Sequence, residues 1–165
     1  MMNKLNKIKS LVLRDPRYFI AFGFGSGLTP FAPGTFGTLA SILVYFLLVN
    51  FTWHLYIGFV SFAFVVGVII CNEIAKELGI NDYQGIVWDE FIGFWLTMFL
   101  VPFELTWLIL GFVLFRAFDI LKPFPIKRIE MLKHKGFAIM FDDVIAALYA
   151  WLTLHLIILV CSYGH

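Results

Sequence analysis

Charge is scarce in this chain. Only 14% of its 165 residues are charged, against roughly 25% in soluble domains, while 61% are hydrophobic and the mean hydropathy is +0.91. That shortage excludes a soluble globular domain, because one core of this size cannot hide so much apolar side chain and the excess must face lipid. A net charge of +1 argues against a nucleic-acid partner. Cysteine is almost absent: Cys71 and Cys161 are too few for a disulfide framework and form no metal-type pair. The four histidines have no zinc spacing either, and His134 reads as a loop residue or substrate contact. The basic N-terminal segment, with Lys4, Lys7, Lys9, Arg14 and Arg17, is not followed by a small-residue cleavage site, and Gly23, Gly25 and Gly27 interrupt the apolar stretch after it. It does not read as a signal peptide. No internal repeat is visible, and the length suits one compact unit: a basic cytoplasmic segment over 1–18 and a single membrane-embedded domain over 19–165.

What is present in abundance is apolar run. Such runs fall at about 37–52, 54–72, 86–101, 105–121 and 143–162. A bilayer core needs ~20 helical residues, so the second and fifth are comfortable spans, while the first and third are short enough to tilt, thin the bilayer or be partly re-entrant. The pattern predicts an all-α, polytopic membrane helix bundle with four to five spans. Basic residues orient it. Eleven of the twelve Lys and Arg fall on one side, in the N-terminal segment, at Lys76 and in the 122–135 segment (Lys122, Lys127, Arg128, Lys133, Lys135). The connections near 50–54 and 102–105 contain none. The N-terminus is therefore expected in the cytoplasm.

The acids converge on that same side. Asp89 and Glu90 stand at the cytoplasmic start of the third run, Asp119 near the end of the fourth, and Asp142 and Asp143 at the opening of the fifth. Ionisable groups at membrane depth are costly unless paired and by default mark function. Acids also suit helix N-termini, which accounts for one of Asp142 and Asp143, fits Asp89 and Glu90 less well because Ile86-Val87-Trp88 already continues the apolar run before them, and fails for Asp119 near a helix C-terminus. Arg116, Asp119 and Lys122 share one helical face, so an Arg116–Asp119 ion pair is a structural reading of Asp119. Four other carboxylates would still need positive charge. A carboxylate cluster without His or Cys ligands suits a hard cation, Mg²⁺ before Zn²⁺, with Asp89, Glu90, Asp142 and Asp143 as candidate ligands.

The segment "FGFGSGLTPFAPGTFGT" (22–38) delivers the first span to the same depth. Glycine-rich turns such as that around Gly25 and Gly34 make concave anion sites, and Ser26, Thr29, Thr35 and Thr38 add hydroxyl donors. A helix starting near Thr35 adds a favourable dipole end for phosphate. The GK[ST] ending of a P-loop is missing, and small residues here also serve close helix packing. With Arg116 and Lys122 nearby, these residues form a candidate phosphate site.

Four motifs together, "GFGSGLTPFAPGTFGT", "IVWDEFIGFW", "FRAFDILKPFPI" and "IMFDDVIAAL", resemble the bacterial phosphatidylglycerophosphatase A family, in order over nearly the whole chain from about residue 19. The resemblance implies Mg²⁺-dependent hydrolysis of the terminal phosphomonoester of phosphatidylglycerophosphate, in phospholipid biosynthesis at the cytoplasmic membrane, by a multi-pass protein whose site faces the cytoplasm. The family's motif residues fall here on Gly25, Pro33, Gly34, Thr35, Asp89, Glu90, Arg116, Asp119, Lys122, Pro123, Asp142 and Asp143. One departure is visible: where family members often read His-Gly-Gly-x-Gly, this chain reads His134-Lys135-Gly136-Phe137-Ala138.

The implied chemistry is metal-assisted, with one carboxylate acting either as base toward water or as nucleophile forming an aspartyl-phosphate. No D-x-D-x-T/V and no C-x5-R signature is present, which favours water. A carrier using the intramembrane acids is the alternative, but it should spread ionisable groups through the full depth. A scaffold would not need the acids, and the D-x2-D-G-x2-A-R spacing of CDP-alcohol phosphotransferases is absent.

Overall fold

The computed structural model describes residues 2–79, 83–124, 126 and 135–163. Among these the secondary structure is helical throughout, with no strand. Helix α1 spans Met2–Arg14 and α2 spans Pro16–Ala21; a 3-10 helix, Gly23–Leu28, follows. The bundle proper consists of α3 (Pro33–Leu48), α4 (Trp53–Leu78), α5 (Trp88–Thr97), α6 (Leu105–Leu121) and α7 (Lys135–Tyr163). Of the basic 122–135 segment, Lys127, Arg128, Lys133 and His134 lie outside the described residues.

Two helices, α4 and the 140–163 part of α7, are long and apolar enough to cross a membrane. The apolar side chains face outward as well as inward: Leu43 on α3, Phe62 on α4, Ile109 on α6 and Leu156 on α7 are all exposed. On α7 the exposed Leu148, Leu152, Leu156 and Leu159 form one stripe, while Ala146, Ala147 and Ala150 are buried. Small residues inside and leucines outside invert the water-soluble pattern and suit helices packed in lipid.

Helix α5 holds the centre. Its sequence is apolar on every side beyond its first turn, and Phe91, Ile92, Phe94 and Trp95 are fully buried between α3, α4, α6 and α7. At 10 residues it is roughly 15 Å long, half a bilayer core. The third apolar run, expected at 86–101, is thus shorter as a helix. Met98 closes it, Leu100 adopts a left-handed conformation (φ 59°), and Pro102 has no N–H with which to continue a helix. The reversal around 98–101 meets the 49–53 connection at the far end of the bundle, where Tyr45, Trp53, Tyr56, Met98 and Leu100 line one shallow cavity.

Polar bonds fix α5 against its neighbours. Trp88 Nε1–H donates to the Ala63 carbonyl (3.1 Å), Trp95 Nε1–H to Ser41 (3.0 Å), and the Tyr56 hydroxyl to the Trp95 carbonyl (2.6 Å). Gly93 permits a close helix approach: a Cβ there would lie 2.5 Å from the Phe115 ring of α6 and 3.3 Å from the Asp143 carbonyl of α7. The N-terminal cap over the opposite end is tied down separately. Asp15 caps α2 through Arg17 N–H (2.9 Å), and Arg17 reaches Glu73 (3.0 Å) and Glu77 (2.9 Å) at the end of α4. The Arg17 side chain bonded to it holds the Asp15 carboxyl below the usual carboxylate range.

Replacing Gly93 by valine is expected to cost ~1–3 kcal/mol through overpacking, lowering the thermal midpoint of the detergent-solubilised protein by about 2–10 °C. An unchanged midpoint would contradict the close α5–α6–α7 approach.

Candidate active site

At the end of the bundle opposite that cavity, four helices bring polar groups together. Asp89 and Glu90 sit in the first turn of α5, so the dipole reading of acids at helix starts fits these two. It does not fit the pair on α7. That helix begins at Lys135, two turns earlier than the apolar run suggested, and places Asp142 and Asp143 inside it, where both are buried. Asp119 lies in the last turn of α6, and Lys122 is its C-cap.

The carboxylates do not form one cluster. One oxygen from each of Asp89, Glu90 and Asp143 lies within 4.8 Å of the other two. Asp142 stands outside this group and accepts a hydrogen bond from Lys122 Nζ at 3.0 Å. Neighbours on a helix point about 100° apart, so Asp142 and Asp143 serve different surroundings. Asp119 is ion-paired with Arg116 Nη1 at 2.7 Å, and the same nitrogen lies 3.8 Å from Glu90 Oε1. The structural reading of Asp119 and a site reading therefore coincide: the pair forms, and it points the guanidinium at the cluster.

Among the described residues, five carboxylates at this end face two cations, Arg116 and Lys122, and Glu90 Oε2 and Asp143 Oδ2 are buried without a hydrogen-bond partner. Like charges this close cannot all remain ionised in a low-dielectric site without a further cation. Three carboxylates with two orphaned oxygens and no nitrogen or sulfur ligand are a donor set suited to a hard divalent ion. The residues fit Mg²⁺.

The 22–38 segment approaches from α3. Gly34 lies against Glu90 and Arg116: a Cβ there would overlap Glu90 Oε1 and come within 3.1 Å of Arg116 Nη2. No side chain caps α3, its N-cap Ala32 is left-handed, and Pro33 occupies its first turn. The N–H groups of Gly34 and Thr35 therefore lack intrahelical partners beside the guanidinium. The other hydroxyls are used locally: Ser26 donates to the Gly23 carbonyl (2.7 Å), Thr29 to Ser26 (3.0 Å) and Thr38 to Gly34 (2.9 Å). Gly25, in the left-handed region at φ 96°, faces open space.

Two features of the site are announced by no sequence motif. Ala32 carries no motif that would announce a left-handed residue, and the division between Asp142 and Asp143 lay in the helical repeat, where the 100° step was the available signal. The described carboxylates of the bundle interior gather at this one end, which is not the distribution a carrier pathway needs.

The described residues thus form an all-helical bundle, two of whose helices are long and apolar enough to cross a membrane, with a carboxylate cluster beside Arg116, Lys122 and an uncapped helix start at one end. Residues 19–158 match the family model described as Phosphatidylglycerophosphatase A, and the chain belongs to that family. It is 42% identical to Phosphatidylglycerophosphatase A of Escherichia coli K12 over 82% of this chain and 80% of the relative. The Haemophilus influenzae protein of the same name is 39% identical over 90% and 93%. A Bacteroides thetaiotaomicron protein provisionally named a phosphatidylinositol-3-phosphatase is 41% identical over 81% and 87%. No solved structure matches the chain.

Removing Arg116 while its acids stay should cost ~3–5 kcal/mol, the penalty of an uncompensated buried charge. Arg116→Gln is expected to lower the thermal midpoint strongly, and adding Asp119→Asn to recover part of the loss. A double variant no more stable than the single one would show that the two side chains are not coupled.

Proposed function

We propose that this chain is a Mg²⁺-dependent lipid phosphatase that hydrolyses the terminal phosphomonoester of phosphatidylglycerophosphate, yielding phosphatidylglycerol and inorganic phosphate. The reading extends the name borne by its relatives to this chain. The observation that carries it is the meeting of the Asp89–Glu90–Asp143 cluster, the Arg116 guanidinium and the uncapped start of α3 at one end of a lipid-facing bundle.

Asp89, Glu90 and Asp143 would hold the Mg²⁺, which when bound supplies positive charge against the phosphoryl oxygens. The chain's own groups do the rest. Arg116, aimed by Asp119, neutralises charge that grows on the equatorial oxygens as the phosphoryl group transfers. The N–H groups of Gly34 and Thr35 donate to the same oxygens at a helix start that favours anions. A water oxygen bonds to phosphorus, the bond from phosphorus to the glycerol oxygen breaks, and a carboxylate of the cluster takes one proton from the water and passes it to the departing glycerol oxygen, while the water's second proton stays with the phosphate. The acyl chains stay in the leaflet, so the headgroup arrives sideways from the cytoplasmic half of the membrane. In this topology the N-terminus is cytoplasmic, α3, α4, α6 and α7 cross, and α5 with the 98–104 turn completes a fifth passage within the bundle.

Two measurements test the reading. Equilibrium binding of Mn²⁺, followed by electron paramagnetic resonance, should weaken at least tenfold in Asp143→Asn and change less than about threefold in Asp142→Asn. Equal losses would place both aspartates at the metal and contradict the division seen here. Phosphate release from phosphatidylglycerophosphate by the purified protein should require Mg²⁺, cease in EDTA, and fall about 100-fold in Gly34→Ala, whose methyl group displaces Glu90 and Arg116. Release unaffected by EDTA would remove the metal from the mechanism; no release by the folded wild type would overturn the reaction.

A further inference from the structure

Among the described residues the site contains two cations, and the structure gives each its own aspartate. Arg116 is 14% exposed, paired with Asp119 at 2.7 Å and 3.8 Å from Glu90, one of the three clustered carboxylates. Lys122 is 26% exposed and held at 3.0 Å by Asp142, which lies outside that cluster. Lys122 occupies the C-cap of α6 in a left-handed conformation, φ 43° and ψ 63°, one of four non-glycine residues with positive φ among those described. Such a conformation in a non-glycine residue persists only where surrounding contacts impose it. Here the backbone turn sends the side chain toward α7, where Asp142 receives it, while the Tyr149 hydroxyl of α7 holds the next turn through the Phe124 carbonyl (2.9 Å). A lysine kept merely to end a helix would need none of this.

The proposed substrate also carries two anionic groups, a phosphomonoester and a phosphodiester, separated by one glycerol unit. The monoester must sit where water, metal ligands and Arg116 meet. We infer that Lys122, positioned by Asp142, binds the phosphodiester, so that the site recognises lipid headgroups that carry both a backbone diester and a terminal monoester. This inference rests on the reaction proposed above. An ammonium group with three N–H donors on a flexible stem is suited to meet a phosphate oxygen. The diester keeps its single charge before, during and after the reaction. A group that binds it holds ground state and transition state alike, and its loss appears in KM rather than in kcat.

The products separate the two subsites. Phosphatidylglycerol retains the diester alone and inorganic phosphate is the released monoester alone. In dodecyl maltoside micelles, Lys122→Gln is expected to raise KM for phosphatidylglycerophosphate roughly tenfold, with the larger part of the effect in KM. It should weaken inhibition by added phosphatidylglycerol to the same degree and leave inhibition by inorganic phosphate unchanged, with diacylglycerol as the control for surface dilution. Asp142→Asn should follow the same pattern, and Lys122→Arg, which keeps the charge, should restore most of the binding. Weakened phosphate inhibition would place Lys122 on the scissile group, and a loss confined to kcat would make it structural; either result overturns the assignment. If the wild type releases no phosphate, the underlying reaction fails instead, a result distinct from both.

Discussion

Repulsion among carboxylates is the constraint around which this bundle is arranged. Oxygens of Asp89, Glu90 and Asp143 lie within 4.8 Å of one another, at the end of a bundle whose outer surface is leucine and phenylalanine. In such surroundings three like charges separate, take up protons or recruit a cation. That they are nonetheless held together requires rigid support, and the rest of the fold supplies it. Helix α5 is too short to serve as an independent span, yet it is the most enclosed element, bonded through Trp88, Trp95 and Tyr56 to two neighbours. Its function is to present Asp89 and Glu90 at a fixed height. Gly93 then lets α6 and α7 come close enough for Arg116 and Asp143 to reach the same point.

The cations are managed in the same way. Each is tethered by its own aspartate, Arg116 by Asp119 and Lys122 by Asp142, so that neither collapses onto the central three. The five acids thus divide into three that create negative potential and two that aim positive charge. Preorganisation of this kind, in which dipoles and charges are fixed before the reacting group arrives, is the main source of electrostatic stabilisation in enzyme sites. Gly34 belongs to it by what it lacks, since a single methyl group would occupy the space between Glu90 and Arg116.

Much of this was legible in the sequence. Apolar runs located the bundle helices, and the grouping of acids at same-side ends of three runs predicted their meeting. The shared face of Arg116, Asp119 and Lys122 predicted the first ion pair. What escaped has physical reasons. Hydropathy counts apolar residues without regard to backbone conformation, so it extended α5 through Leu100, whose left-handed geometry ends the helix, and started α7 too late, because charged and small residues at its beginning lower the average. Hydroxyl-bearing side chains in the 22–38 segment read as phosphate donors, yet Ser26, Thr29 and Thr38 bond to carbonyls three or four residues away, a competition that short polar side chains enter wherever a helix starts or turns. Asp142 and Asp143 look identical in a string and differ only once the helix assigns each a direction.

Helix α7 supplies Asp142 and Asp143, packs along α4, α5 and α6, and follows all three in the chain, so it leaves the ribosome after them. Until it arrives, Asp89 and Glu90 have no third carboxylate, Lys122 has no Asp142, and one wall of the core around Phe115 and Met98 is open. A nascent chain that stops short of α7 leaves these charges unmatched, so the synthesis of α7 and the assembly of the site are one event.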